Sequence, residues 1–239
     1  MGVRMGSGMR VLFILLRIAG VIAGVAAMVG QLITTYNNWA RLGIENTSTL
    51  FVNFFSFFTI ESNVGAVAVF AIGAVLLIRR VDDPRWFAVL RATITSYMVV
   101  TFVVYNLLLR GVELPQGTTL PWSNEVLHVV APLLIILDWF FAPGRRRLEW
   151  KELRIVVAFP IVWAVYTLIR GPLAYNDVAK KPSWYPYPFL DPSLSPEGYF
   201  SVAFYVILIA GVVIGVGAGV IWVARRGARW PLRALATGA

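Results

Sequence analysis

Apolar residues run along this chain in six long blocks, near 11–36, 50–78, 86–109, 122–141, 153–172 and 198–224, with charged residues gathered between them. A helix needs roughly 17–25 residues to cross a bilayer. Only 155–169 of the fifth block is free of charge, but Arg154 and Arg170 at its ends can snorkel to opposite interfaces. Backbone polar groups in hydrocarbon must be satisfied within their own segment, so blocks of this kind are helices. The pattern predicts an all-α, polytopic membrane protein, one six-helix transmembrane domain over 1–239. The first block follows Arg4 and Arg10 as a signal peptide would, yet it runs past Ala26 and Ala27 to Ile33 and is expected to be retained. No internal repeat is visible, which gives an inverted-repeat transporter no support.

Most connections are short. The exception is 173–197, which contains Trp184-Tyr185-Pro186-Tyr187-Pro188-Phe189. Proline ends helices and Tyr and Trp favour the headgroup layer, so this loop reads as an interfacial anchor or as a lid over a site. Gly20 and Gly24, and Gly211, Gly215 and Gly219, recur at four-residue spacing. Such stripes let helices approach closely and are expected to pack within the bundle, a homodimer face being the alternative.

Composition sharpens the picture. Hydrophobic residues make up 59% and charged residues 14% of the chain, against roughly 45–50% and about 25% in soluble domains. With a mean hydropathy of +0.74, a soluble enzyme is excluded. The net charge of +9 comes from clusters between apolar blocks, which fits membrane topology and not a nucleic-acid surface. Fifteen of the 21 basic residues, from Arg4 and Arg10 through Arg145–Arg147 to Arg229 and Arg233, fall on one side of the predicted spans. The positive-inside rule then places both termini in the cytoplasm and the 173–197 loop outside, in a multi-pass protein of the plasma membrane. Cysteine is absent and there is one histidine, so neither a disulfide nor a multi-histidine metal site is expected. No cofactor is implied.

Polar side chains within spans are costly and usually mark bundle interiors or wet cavities. Thr93, Tyr97, Thr101 and Tyr105 draw a stripe down the third span, with Asn106 near its outer end. Thr59, nine residues from Leu50, is expected roughly 13 Å deep, and His128, six from Trp122, roughly 9 Å deep. Glu125 and His128 are three apart and share a face, close enough for carboxylate–imidazole contact. Asp138 is too far along the fourth span to orient His128. Thr59 shares its face with Ser62 and Asn63, whereas Glu61 points about 200° away.

A hydroxyl, an imidazole and a carboxylate can form a nucleophilic hydrolase, and the candidates are Thr59, His128 and Glu125. Asn63, Asn124 or Tyr105 would donate to the oxyanion, and Asn106, Tyr166 and Arg170 lie above as further substrate-binding groups. Acyl chains are expected along the aromatic faces of the second and third spans. Residue types alone leave a structural, hydrogen-bonding role for His128 and Thr59 open.

Phe57–Asn63, Asn124-Glu125-Val126-Leu127-His128 with Pro132 and Asp138-Trp139, and Tyr185–Asp191 resemble the second-helix, fourth-helix and loop motifs of the actinobacterial Pr6Pr membrane proteins. That group is more distantly similar to the FAR-17a/AIG1-like six-span proteins, which include intramembrane threonine hydrolases of fatty acid esters of hydroxy fatty acids. The resemblance implies a hydrolase of lipid esters with Thr59 as nucleophile and His128 as base. The sequence departs from the vertebrate motif in having Glu125 where that motif has a second histidine. Arginine outnumbers lysine 18 to 3, in keeping with a high-GC bacterium. The alternative is a non-enzymatic membrane protein that binds or moves a lipid or proton through Glu61 and Asp138. The partners implied are membrane lipids and a lipid ester substrate; nothing in the sequence fixes an oligomeric partner.

Overall fold

Helix length and hydropathy coincide at six places along the chain. The structure, a computed structural model, describes residues 7–112 and 114–226, so Arg4, Arg229 and Arg233 lie outside the described residues. The elements are α1 (Ser7–Arg41), α2 (Thr47–Phe55), α3 (Phe58–Ile78), α4 (Arg85–Leu109), α5 (Pro121–Phe141), α6 (Trp150–Leu173) and α7 (Tyr199–Arg225). All but α2 are long and apolar enough to cross a membrane. Among the described residues there is no β-strand. The all-α, six-span expectation is met.

The second apolar block is not one helix. Ser56 turns its hydroxyl back onto the Val52 carbonyl at 2.7 Å, a bond that competes with the helix ladder. Phe57 then takes an extended backbone, its ring edge-on to Trp184 and Tyr187. The backbone groups freed by the break find partners on other elements. The Trp163 indole donates to the Ser56 carbonyl at 3.0 Å, and the Thr59 N–H donates to the Tyr187 hydroxyl at 3.2 Å. Buried backbone groups tolerate a break only on such terms. Thr59 therefore sits in the first turn of a new helix, not deep in a continuous one, and the depth expected from Leu50 does not apply.

Two spans widen into π-helical turns, Tyr105–Leu109 in α4 and Val126–Val130 in α5. In α5 the cause is local. Pro132 has no N–H to offer the His128 carbonyl one turn back, and a wider turn before a proline relieves that mismatch. The two wide turns face each other, which brings Tyr105 onto His128.

The most buried span, α4, packs against α3, α5, α6 and α7, while α1 lies along α3 and α5. At the end of the bundle away from the 173–197 loop, buried charges clamp the helices. Asp138 accepts from Arg17 Nε at 2.7 Å and from Arg91 at 2.8 Å, and Arg91 also pairs with Asp83 at 2.8 Å. Arg17 further donates to the Gly73 carbonyl. A Cβ at position 73 would stand 2.6 Å from that guanidinium, so glycine is what lets α1 and α3 share it.

Gly20 and Gly24 lie tight against Phe70 and Val67 of α3, as expected of a packing stripe. Gly211, Gly215 and Gly219 do not: a Cβ there would meet nothing within 4 Å. The second stripe faces away from the bundle because Val213, Gly217 and Val220 supply the buried face of α7.

The 173–197 loop is folded down onto the bundle. Trp184, Tyr185, Tyr187 and Leu190 are all buried, and the Trp184 N–H donates to the Gly171 carbonyl. Of the two expectations for this loop, the cover fits and the interfacial anchor does not.

Candidate functional site

The break before α3, the wide turn of α5 and the folded loop converge on one point. Thr59 Oγ1 lies 3.1 Å from His128 Nε2 and 3.2 Å from the Tyr187 hydroxyl, and all three side chains are buried. His128 Nδ1 lies 2.9 Å from the Asn124 backbone carbonyl. A carbonyl can only accept, so Nδ1 carries the proton and the Nε2 lone pair faces the threonine hydroxyl. The ring is held on its face by Tyr105, stacked at 4.1 Å between centroids and 21° between planes. A hydroxyl aimed at the basic nitrogen of a fixed imidazole is the arrangement from which a nucleophile is activated.

The third group differs from expectation. Glu125 does not hold His128. Its carboxylate takes both terminal nitrogens of Arg110, at 3.0 and 3.1 Å, and accepts the Tyr105 hydroxyl at 3.3 Å. The α5 backbone explains this. A residue one turn back presents its carbonyl to Nδ1 directly, leaving Glu125 to face α4, where Arg110 waits. The imidazole is oriented by a backbone group.

The expected oxyanion donors are engaged elsewhere. Asn63 donates both amide hydrogens to carbonyls, those of Thr59 at 2.9 Å and Leu127 at 3.1 Å, and so ties α3 to α5 just behind the pair. Asn124 turns its amide onto the Tyr105 hydroxyl at 2.6 Å. Asn106 bonds within its own helix and to Arg110. Tyr166 bonds Ser56 at 3.0 Å, and Arg170 bonds Asn53 at 2.6 Å while lying over the Trp184 ring. Asn106, Tyr166 and Arg170 brace the surroundings rather than reach Thr59.

Two spaces meet at the pair. An apolar cavity of about 250 Å³ runs between α4, α6 and α7, its head formed by Thr59, His128 and Tyr187 and its walls by residues such as Val104, Pro160, Ala164 and Val206. The second span contributes only Phe58 and Thr59 to it, so the expected track along the second and third spans is displaced to the third, fifth and sixth. On the other side of Thr59 and His128 lies a smaller pocket of about 50 Å³ with Gln31, Thr35, Asn53, Gln116 and Asn124 in its lining. Asn53 Nδ2, Trp39 Nε1 and Gln116 Oε1, all from residues that line it, are buried without hydrogen-bond partners. The space around the pair is thus two cavities, with Thr59 and His128 common to both.

Glu61 is half-buried and one of its oxygens has no partner; it belongs to neither cavity. Asp138 is fully buried between Arg17 and Arg91. Among the described residues, no group of three His, Cys, Asp or Glu side chains comes together to hold a metal ion.

Sequence reasoning missed Tyr187 as a member of the site. Its signal was the Tyr-Pro-Tyr-Pro run, legible as a loop but silent about where the loop folds. Comparison with family models, with curated proteins and with solved structures finds no match to this chain.

Proposed function

We propose that this chain is an intramembrane hydrolase of fatty acyl esters, with Thr59 as nucleophile and His128 as the base that takes its proton. The observation that carries the reading is the 3.1 Å contact between Thr59 Oγ1 and His128 Nε2, at the head of an apolar cavity. Thr59 Oγ bonds to the ester carbonyl carbon while its proton passes to His128 Nε2. Collapse of the tetrahedral intermediate expels the alcohol, which leaves with that proton. Water, activated by the same nitrogen, then releases the fatty acid from Thr59. Because about 150 Å³ of apolar cavity accommodates a six-carbon ring, the 250 Å³ cavity accommodates an acyl arm on the order of ten carbons. The smaller, more polar pocket on the far side of the pair is the approach for water and for the alcohol.

The setting proposed is the plasma membrane of a bacterium, with both termini in the cytoplasm and the 173–197 loop outside. Its support is the gathering of fifteen of 21 basic residues on one side of the six spans. Kinship with the Pr6Pr proteins, and more distantly with the FAR-17a/AIG1-like hydrolases, rests on the three motifs given above. The alternative of a proton or lipid carrier working through Glu61 and Asp138 loses support from Asp138, whose carboxylate is enclosed by two guanidinium groups.

The test is labelling of the purified full-length protein by a fluorophosphonate carrying a decyl chain. Wild type is expected to label, and Thr59→Ala and His128→Ala to lose at least nine-tenths of the signal. Equal labelling of all three would end the proposal.

A further inference from the structure

An acyl-transfer site needs donors for the oxyanion as well as a nucleophile and a base. In this structure Asn63 has spent both amide hydrogens on carbonyls, and Tyr105 directs its hydroxyl to Glu125. Two donors remain at Thr59 itself. One is its own backbone N–H, left without a helical partner because Thr59 lies in the first turn of α3. The other is the Tyr187 hydroxyl, 3.2 Å from that nitrogen and 3.2 Å from Oγ1.

The direction of the hydrogen bonds follows from the groups. The Thr59 hydroxyl gives its proton to His128 Nε2, so at the contact with Tyr187 it accepts, and Tyr187 donates. The same phenol oxygen accepts the Thr59 N–H. The chain therefore runs from Thr59 N–H to Tyr187, from Tyr187 to Thr59 Oγ, and from there to His128.

We propose that Tyr187, carried in by the 173–197 loop, is a catalytic residue that donates with the Thr59 N–H to the oxyanion of the tetrahedral intermediate. This rests on the hydrolase reading above. As the Oγ–C bond forms from the other lone pair of Oγ, the carbonyl π pair moves onto the carbonyl oxygen, which becomes a stronger acceptor than Oγ. The phenol proton turns to that new anion, and the Thr59 N–H turns with it. An oxyanion about 2.8 Å from both donors closes a triangle on their 3.2 Å separation, so Tyr187 keeps its place. Burial pushes its phenol up to about 12, and the hydroxyl keeps its proton at any working pH. Phe57, Trp163 and Phe189 pack on the ring and fix the donor's position. The loop thereby completes the site, and chemistry requires it closed.

The experiment compares full-length wild type and Tyr187→Phe in detergent micelles, with 4-nitrophenyl decanoate as substrate. Decyl trifluoromethyl ketone serves as the tetrahedral mimic and decanoate as the product. Phenylalanine keeps the ring contacts and removes only the donor. The expected result is kcat lower by about 10²–10³-fold with KM within about threefold, the range for loss of one oxyanion donor. Ketone affinity should fall in parallel and decanoate affinity should hold. A variant within about fivefold of wild-type kcat/KM, or one that loses decanoate affinity as much as ketone affinity, overturns the assignment. Fluorotyrosines at position 187, which acidify the hydroxyl and keep the ring, should grade kcat; a flat response overturns it too. Failure of the hydrolase reading itself is distinguishable, because wild type would then turn over the ester no faster than Thr59→Ala, whatever Tyr187 does.

Discussion

Replacing Glu125 by glutamine separates two ways of holding the His128 ring, by a side-chain carboxylate or by a backbone carbonyl. In a Ser–His–Asp site, neutralising the carboxylate that holds the histidine lowers kcat by about 10⁴-fold. Spacing alone assigns Glu125 that role. The structure pairs it with Arg110, both side chains being nearly half exposed at 46% and 47%. An ion pair in that setting contributes about 1 kcal/mol or less, which corresponds to a change of about fivefold in an equilibrium or rate. The Nδ1 proton is held by the Asn124 carbonyl, which no side-chain substitution removes. Glu125→Gln is therefore expected to keep kcat/KM within about fivefold of wild type. Arg110→Gln should behave alike, and the double variant should also stay within about fivefold, since glutamine at 125 still accepts the Tyr105 hydroxyl and His128 Nδ1 is held by the Asn124 carbonyl. The assay is hydrolysis of 4-nitrophenyl decanoate by the micellar protein, with the Thr59→Ala rate subtracted as background. A loss beyond about 10²-fold in Glu125→Gln, with Arg110→Gln unaffected, would restore Glu125 to the histidine and refute the backbone-carbonyl assignment.

Further predictions concern the clamp and the cavity. Asp138→Asn leaves Arg17 and Arg91 sharing a neutral partner in a buried site. A loss of about 3–5 kcal/mol is expected, read as a lower midpoint in thermal aggregation or SDS unfolding; an unchanged midpoint contradicts the clamp. Ala164→Trp places an indole in the wall of the apolar cavity. It should lower kcat/KM for a decanoyl ester by about tenfold or more, while an acetyl ester loses less than about threefold. Equal losses for both would show that the acyl arm lies elsewhere.

The six spans, their all-helical character and the loop between the last two were determined by the sequence, because hydrocarbon leaves the backbone no alternative to helix over an apolar block of that length. The residue types of the site were legible for the same kind of reason. Thr59 and His128 stand out because polar groups in a membrane interior are rare and costly. Tertiary structure decided what those residues meet. No glycine or proline announces the break at Ser56 and Phe57. It exists because Trp163 and Tyr187, more than a hundred residues away, satisfy the backbone groups it frees. Helical spacing put Glu125 on the face of His128, but an arginine just past the end of the neighbouring helix took the carboxylate, and a backbone carbonyl took the ring. Periodicity along one helix fixes which residues share a face. Which side chain from another element meets that face depends on packing, and packing brought the loop tyrosine to the threonine.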